Sequence, residues 1–269
     1  MPCLPMPLSS VTPVLIALHS SGAGGRQWDA WRRQPPHGAT WHTPDLLGYA
    51  AEPWPLGAPI SLQAEADALA PLLRSAPHGA HLVGHSYGGA VALELALRWP
   101  QHVRSLTLYE PMRPALLRGA RPDDRLVFDA FVAFGREIGV AVLRGRSRDA
   151  AQHFVDYWAG AGAWAALPAP RQDAIVLRMP KVNAEFGALC NDAVPLHALR
   201  RLDVPVSLLC GTRSPAPALR VIERLHQTLP WVTLERLSGL GHLGPIEAPA
   251  RVAASISLRR PWLAQPLAA

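Results

Sequence analysis

Short apolar runs rich in β-forming residues alternate with longer segments of helical periodicity through most of this chain, and that alternation permits few architectures. The runs are Val14–Leu18, Thr40–Thr43, His81–Val83, Ser105–Tyr109, Val206–Cys210 and Val232–Leu237. Between them, Ile60–Ser75 places Leu62, Ala66, Leu69, Leu72 and Leu73 at helical spacing, and Gly88–Arg98 does the same before Pro100 stops it. Ala216–Leu229 and Pro249–Leu258 read as two further helices. Strands that alternate with helices pair in parallel through crossovers, so the pattern predicts an α/β fold with a parallel sheet covered on both faces.

From about Pro114 to Leu199 the alternation stops. That stretch reads as helices without strands and carries Phe128, Phe131, Phe134, Phe154, Trp158 and Trp164. The expected division is a core formed by residues 1–113 and 200–269, with residues 114–199 inserted as a helical cap. A chain of 269 residues is long enough for one such core plus an insertion. With 49% hydrophobic and 17% charged residues it has ample material for a buried sheet.

The formal charge of +6 does not by itself imply a nucleic-acid partner. Lys181 is the sole lysine, and the arginines from Arg118 to Arg148 are interrupted by Asp123, Asp124, Glu137 and Asp149. Neutralising a phosphate backbone needs clustered cations, so a solvated helical face is expected here. Cys3, Cys190 and Cys210 are odd in number and lack metal-ligand spacing, which points to neither a disulfide framework nor a zinc site and fits a reducing compartment. Met1 to Ser10 carries no positive n-region, and Val14 to Leu18 is too short for a signal core or a membrane span. A cytoplasmic protein is expected, acting on a small molecule as a monomer or homodimer.

The most specific local signal is Gly84-His85-Ser86-Tyr87-Gly88-Gly89, placed between a strand and a helix. A serine in such a G-x-S-x-G turn stands exposed at a sharp, strained corner, at the N-terminus of a helix whose dipole favours developing negative charge. Flanking glycines are needed where a side chain would clash. A serine hydroxyl is a poor nucleophile until a base takes its proton. Of the eleven histidines, His242 is the candidate base, because Ser238-Gly239-Leu240-Gly241-His242 forms a glycine-rich loop just past the last strand. His85 is adjacent to Ser86 in sequence but is expected to point elsewhere. An oxyanion requires two amide donors: that of Tyr87, next after the serine, and one from His19-Ser20-Ser21-Gly22, with Ser21 the choice. The His19 imidazole is expected to order that loop.

Through LHSSGAGG, PDLLGY, LVGHSYGG, LCGTRSP and GLGHLGP the chain resembles the α/β-hydrolase superfamily over nearly its whole length. The resemblance implies the chain order serine, acid, histidine, with a variable helical cap between the family's sixth and seventh strands. It also implies an antiparallel hairpin before the first parallel strand, for which little sequence precedes Val14. The family's usual aspartate follows its seventh strand, but here that turn reads Gly211-Thr212-Arg213-Ser214-Pro215, and Ser214 supplies no carboxylate. Glu110, right after the sixth strand, is the candidate for a relocated acid, as in glutamate-bearing haloalkane dehalogenases, which the chain resembles in that respect alone. The competing reading has Glu110 bonded to loop amides or paired with Arg113; Asp192 and Asp203 are weaker alternatives.

The expectation is therefore a serine hydrolase that cleaves an ester or related carbonyl. Ser86 is the nucleophile, His242 the base, Glu110 its orienting acid, and Ser21 and Tyr87 the oxyanion donors. The scheme needs no organic cofactor and no metal. The aromatic cap suggests an apolar or aromatic-derived substrate. A carbon–carbon bond hydrolase, a cofactor-free dioxygenase and a non-enzymatic ligand-binding module are the alternatives.

Overall fold

The computed structural model describes residues 12–33, 39–50, 52–119, 121–193 and 196–259. The expectations placed on Met1 to Ser10 and on Cys3 lie outside them. The strands are β1 (Val14–Leu18), β2 (Thr40–His42), β3 (Ala80–His85), β4 (Val103–Tyr109), β5 (Val206–Gly211) and β6 (Val232–Leu237). They form one sheet in the order β2-β1-β3-β4-β5-β6, and every pairing is parallel. Among the described residues no antiparallel hairpin precedes β1.

The helices are α1 (Asp29–Arg32), α2 (Leu62–Arg74), α3 (Tyr87–Arg98), α4 (Pro122–Leu143), α5 (Ser147–Ala159), α6 (Ala163–Ala166), α7 (Ala169–Asn191), α8 (Leu196–Arg200), α9 (Ala216–Thr228), α10 (Gly244–Glu247) and α11 (Pro249–Arg259). β3 is buried along its whole length. This is what a central parallel strand with both faces covered requires, whereas the edge strands β2 and β6 are only partly buried. β3 also runs two residues past the expected Val83, because Gly84 and His85 still pair with Leu108 and Tyr109.

Two apolar clusters cover the faces. The larger joins Leu82, Leu106 and Leu108 of the sheet to α2, α3 and α9, and continues into Phe131, Phe134, Phe186 and Trp158 of the helical stretch between β4 and β5. The smaller packs Leu15, Ala17, Val83 and Leu209 against Trp28, Trp31 and Val252. α4 to α8 contain no strand among the described residues, as the sequence implies. Where this stretch rejoins the sheet, the fully buried Arg113 bonds Asp192 at 2.6 Å and Glu94 at 2.6 Å. The guanidinium thus ties the loop after β4 to the end of α7 and to α3. A buried ion pair adds little net stability, but removing either partner strands a charge in the interior.

Strand order reverses beside β1: β2 follows it on one side and β3 on the other. A crevice opens at the carboxyl ends of strands at such a switch point. Ser20 and Ser21 follow β1, Ser86 follows β3, Glu110 follows β4, Ser214 follows β5 and His242 follows β6. Residues distant in sequence are thereby delivered to one end of the sheet. Among the described residues no helix is long and apolar enough to cross a membrane.

Candidate active site

Ser86 sits at the corner between β3 and α3 with φ 54° and ψ −117°. This is a conformation that L-residues avoid, and it costs about 1–3 kcal/mol. Two bonds hold it against the neighbouring strand: Ser86 N donates to Tyr109 O at 3.1 Å, and Met112 N donates to Ser86 O at 3.1 Å. The glycines are explained by close approach. A Cβ on Gly84 would lie 2.6 Å from Gly89 Cα, and one on Gly89 would lie 2.8 Å from Pro111 Cβ.

His242 Nε2 lies 2.9 Å from Ser86 Oγ, and His242 Nδ1 lies 2.6 Å from Glu110 Oε2. Glu110 is fully buried and has φ 45°; with Ser86 it is one of two non-glycine residues at positive φ among those described. Its other oxygen, Oε1, accepts from Gly211 N at 2.7 Å and from Ser214 Oγ at 2.5 Å. Part of the competing reading is therefore also present, since one oxygen does bind a loop amide. Arg113 is engaged elsewhere, with Glu94 and Asp192. That ion pair also occupies Asp192, and Asp203 is exposed. Ser214, which stands where the family's aspartate is expected, now donates to the carboxylate that faces the imidazole.

The His242 loop is fixed from below. Tyr109 Oη donates to Gly241 O at 2.7 Å, and His85 Nε2 donates to His242 O at 2.8 Å. His85 Nδ1 accepts from Gln27 Nε2 at 3.2 Å, while Gln27 Oε1 accepts from Ser20 N at 3.1 Å and Ser20 Oγ at 2.9 Å. Burial, with His242 beside it, pushes the His85 imidazole well below its usual range, so it stays neutral with one ring nitrogen donating and the other accepting. One chain of bonds thus joins the loop after β1 to the loop after β6. Nothing in the sequence singles out Gln27, because its role depends on contacts 58 residues away.

His19 is buried, its Nδ1–H bonding Ser20 O at 2.9 Å and its Nε2 accepting Leu46 N at 3.0 Å. Burial lowers its pKa to about 4. Among residues 20–23, the amides of Ser20, Gly22 and Ala23 are taken by Gln27 Oε1, Tyr49 Oη and Ser20 O. The Ser21 amide is left uncommitted. The first-turn amides of α3, that of Tyr87 first, have no acceptor one turn earlier.

Ser21, Ser86 and His242 border one small cavity of about 30 Å³, walled by Phe131, Phe154 and Phe186. The Trp158 ring lies over the His242 ring, centroids 4.1 Å apart and planes 31° apart. The sequence marks Trp158 only as one aromatic among several; its placement over the imidazole depends on how α5 packs. The geometry can move a proton from the serine hydroxyl to an imidazole held by a buried carboxylate.

The sequence matches the Alpha/beta hydrolase family over residues 15–255. Lipase LipV of Mycobacterium tuberculosis is 35% identical over 151 residues, a match that spans 51% of this chain and 51% of the lipase, about half of that relative's length. A pimeloyl-[acyl-carrier protein] methyl ester esterase of Neisseria meningitidis is 30% identical over 223 residues, 79% of each chain. Among solved structures, a thermophilic esterase from Thermogutta terrifontis superposes with a TM-score of 0.73 at 21% identity, covering 93% of this chain and 90% of that one.

Proposed function

This chain belongs to the alpha/beta hydrolase family, and from that premise we propose that it is a serine hydrolase that cleaves carboxylic esters through an acyl-enzyme. The observation that carries this reading is the unbroken hydrogen-bond chain Ser86–His242–Glu110, open at its serine end to the cavity. Ser86 Oγ attacks the ester carbonyl while His242 Nε2 takes its proton. Glu110 Oε2 accepts from Nδ1–H and balances the imidazolium that forms. The amides of Ser21 and Tyr87 bind the oxyanion. Collapse expels the alcohol, which leaves with the proton from His242. A water molecule, deprotonated by the same imidazole, then releases the acid and restores Ser86.

The aromatic walls favour an apolar acyl chain. A cavity of about 30 Å³ holds roughly two waters, far less than an ester needs. Substrate entry therefore requires α5 and α7, which supply Phe154, Trp158 and Phe186, to move as a cap. The lipase and methyl ester esterase among the relatives support ester chemistry.

The test is hydrolysis of p-nitrophenyl butyrate at neutral pH by the wild type and by Ser86→Ala. The reading requires measurable turnover that the substitution reduces to the non-enzymatic rate. Turnover that survives loss of the hydroxyl, or a wild type inert to esters of several chain lengths, sinks it.

A further inference from the structure

Arg178, Lys181 and Glu185 stand three and four residues apart on α7, so they share one face of that helix. Lys181 and Glu185 are buried. Lys181 Nζ donates to Glu185 Oε1 at 2.8 Å and to Glu65 Oε1 at 2.8 Å, which joins α7 to α2. None of these groups enters the chemistry above. Apolar residues can pack such positions as well, and ion pairs buried there add little net stability. The cost shows in the groups themselves. Burial raises the Glu65 carboxyl. It also works against the Lys181 ammonium, which Glu185 and Glu65 together hold charged above its usual range.

What the cluster touches gives it a purpose, because it reaches both backbone segments assigned to the oxyanion. On one side Gly22 N donates to Tyr49 Oη at 2.9 Å, and the phenol in turn bonds the Glu185 carboxylate. Burial, and then Glu185, raise Tyr49 well above its usual value, so it stays a neutral donor. Arg178, whose guanidinium lies over the Tyr49 ring, donates to Gly22 O at 3.2 Å. Gly22, with φ 71°, follows Ser21 directly. Gln27 holds Ser20 N and Oγ, so the peptide that carries the Ser21 N–H is anchored on both sides. On the other side Tyr87 Oη donates to Glu65 Oε1 at 3.3 Å, and Lys181 Nζ lies 4.9 Å from the centre of the Tyr87 ring. Tyr87 opens α3 and carries the second amide. One network therefore runs through Gly22, Tyr49, Glu185, Lys181, Glu65 and Tyr87, and the cap helix supplies its middle.

We propose that Tyr49 and Lys181 are positioning residues for the oxyanion donors: through this network they hold the Ser21 and Tyr87 amides in register, and the register is complete only with α7 seated. The proposal rests on the Ser86 hydrolase reading above. An oxyanion donor acts through its distance and direction to a charge that develops only in the transition state. Loosening its anchors lowers kcat and weakens tetrahedral adducts. Ground-state affinity, set by the aromatic walls of the cavity, is kept.

The experiment takes Tyr49→Phe and Lys181→Met, each checked by thermal denaturation, and measures kcat and KM for p-nitrophenyl butyrate. Two inhibitors complete it. With n-butyl trifluoromethyl ketone, Ser86 Oγ adds to the carbonyl carbon, its proton passes to His242 and the carbonyl oxygen becomes an oxyanion. n-Butyl methyl ketone fills the same space and stays a ketone. Tyr49→Phe keeps the ring but removes the acceptor for Gly22 N. It should lower kcat by roughly 10- to 100-fold and weaken the trifluoromethyl ketone by the same factor, with KM and methyl ketone affinity within about threefold of the wild type. Lys181→Met should act in the same direction, and if it does not fold, Tyr49→Phe decides alone. A Tyr49→Phe enzyme whose kcat is within about threefold of the wild type overturns the proposal. So does equal weakening of both ketones, which a merely looser cap would produce. A wild type that does not hydrolyse the ester strikes the hydrolase reading itself, and the proposal falls with it.

Discussion

Replacing Glu110 by glutamine should slow ester hydrolysis by three to four orders of magnitude, because the geometry leaves the amide one orientation. Gly211 N–H and Ser214 O–H both donate to Oε1. The glutamine oxygen must take that place, which turns its NH2 toward His242 Nδ1 in the place of Oε2. Nδ1 then accepts, the ring proton moves to Nε2, and Nε2 can no longer accept from Ser86 Oγ. The electrostatic loss points the same way. With charge centres about 4 Å apart in an effective dielectric near 20, a carboxylate stabilises an imidazolium by about 4 kcal/mol, or roughly three decades in rate. The wrong tautomer adds to this; an isosteric change of the acid in a serine protease costs about 10⁴. The assay is kcat for p-nitrophenyl butyrate, with thermal denaturation to establish that the fold is retained. Because Ser214 already touches the carboxylate, Ser214→Asp in the Glu110→Gln background should recover at least about tenfold of the lost rate. A Glu110→Gln enzyme within tenfold of the wild type refutes the reasoning, and the acid must then be sought elsewhere.

Ser21→Pro deletes the amide assigned to the oxyanion and should lower kcat by about 10²–10³ with KM little changed, as steady-state kinetics would show. His19 is neutral in the fold, with a pKa of about 4 against 6.5 when unfolded, so the unfolded chain binds the extra proton between those values. Its contribution is complete above pH 6.5 and lost as pH falls toward 4, about 3 kcal/mol in all. Urea unfolding at pH 7.5 and pH 5 should show about 2 kcal/mol of this loss, and His19→Gln, which keeps an acceptor for Leu46 N, should reduce the difference. Arg113→Met strands Glu94 and Asp192 and should cost roughly 3–5 kcal/mol by denaturant unfolding; a cost under 1 kcal/mol would mean that the site relaxes to admit water.

What the sequence made legible follows from what is local. β1 and β6 match the expected runs in full. The Ser86 corner was readable because strand, glycines and helix are contiguous. Glu110 was reached indirectly: Ser214 stands where an aspartate was expected, so a carboxylate was sought on the strand beside the serine's. The sequence could not show that Ser214 and Gly211 hold Glu110 from across the sheet, because those contacts span 104 and 101 residues. The same holds for the buried Lys181. A lone lysine in an arginine-rich chain draws attention, but its pairing with Glu65 lies 116 residues away and exists only once α7 is laid over α2. Trp158 over His242 likewise depends on packing that helical periodicity alone does not determine.

The central claim is that Ser86 is the nucleophile, and covalent trapping tests it most directly. The wild type is treated with an alkyl fluorophosphonate, followed by intact mass measurement and peptide mapping. One adduct per chain is expected, located on Ser86, absent from Ser86→Ala and appearing in step with loss of ester hydrolysis. An adduct on another residue with activity lost, or full labelling that leaves hydrolysis intact, would contradict it.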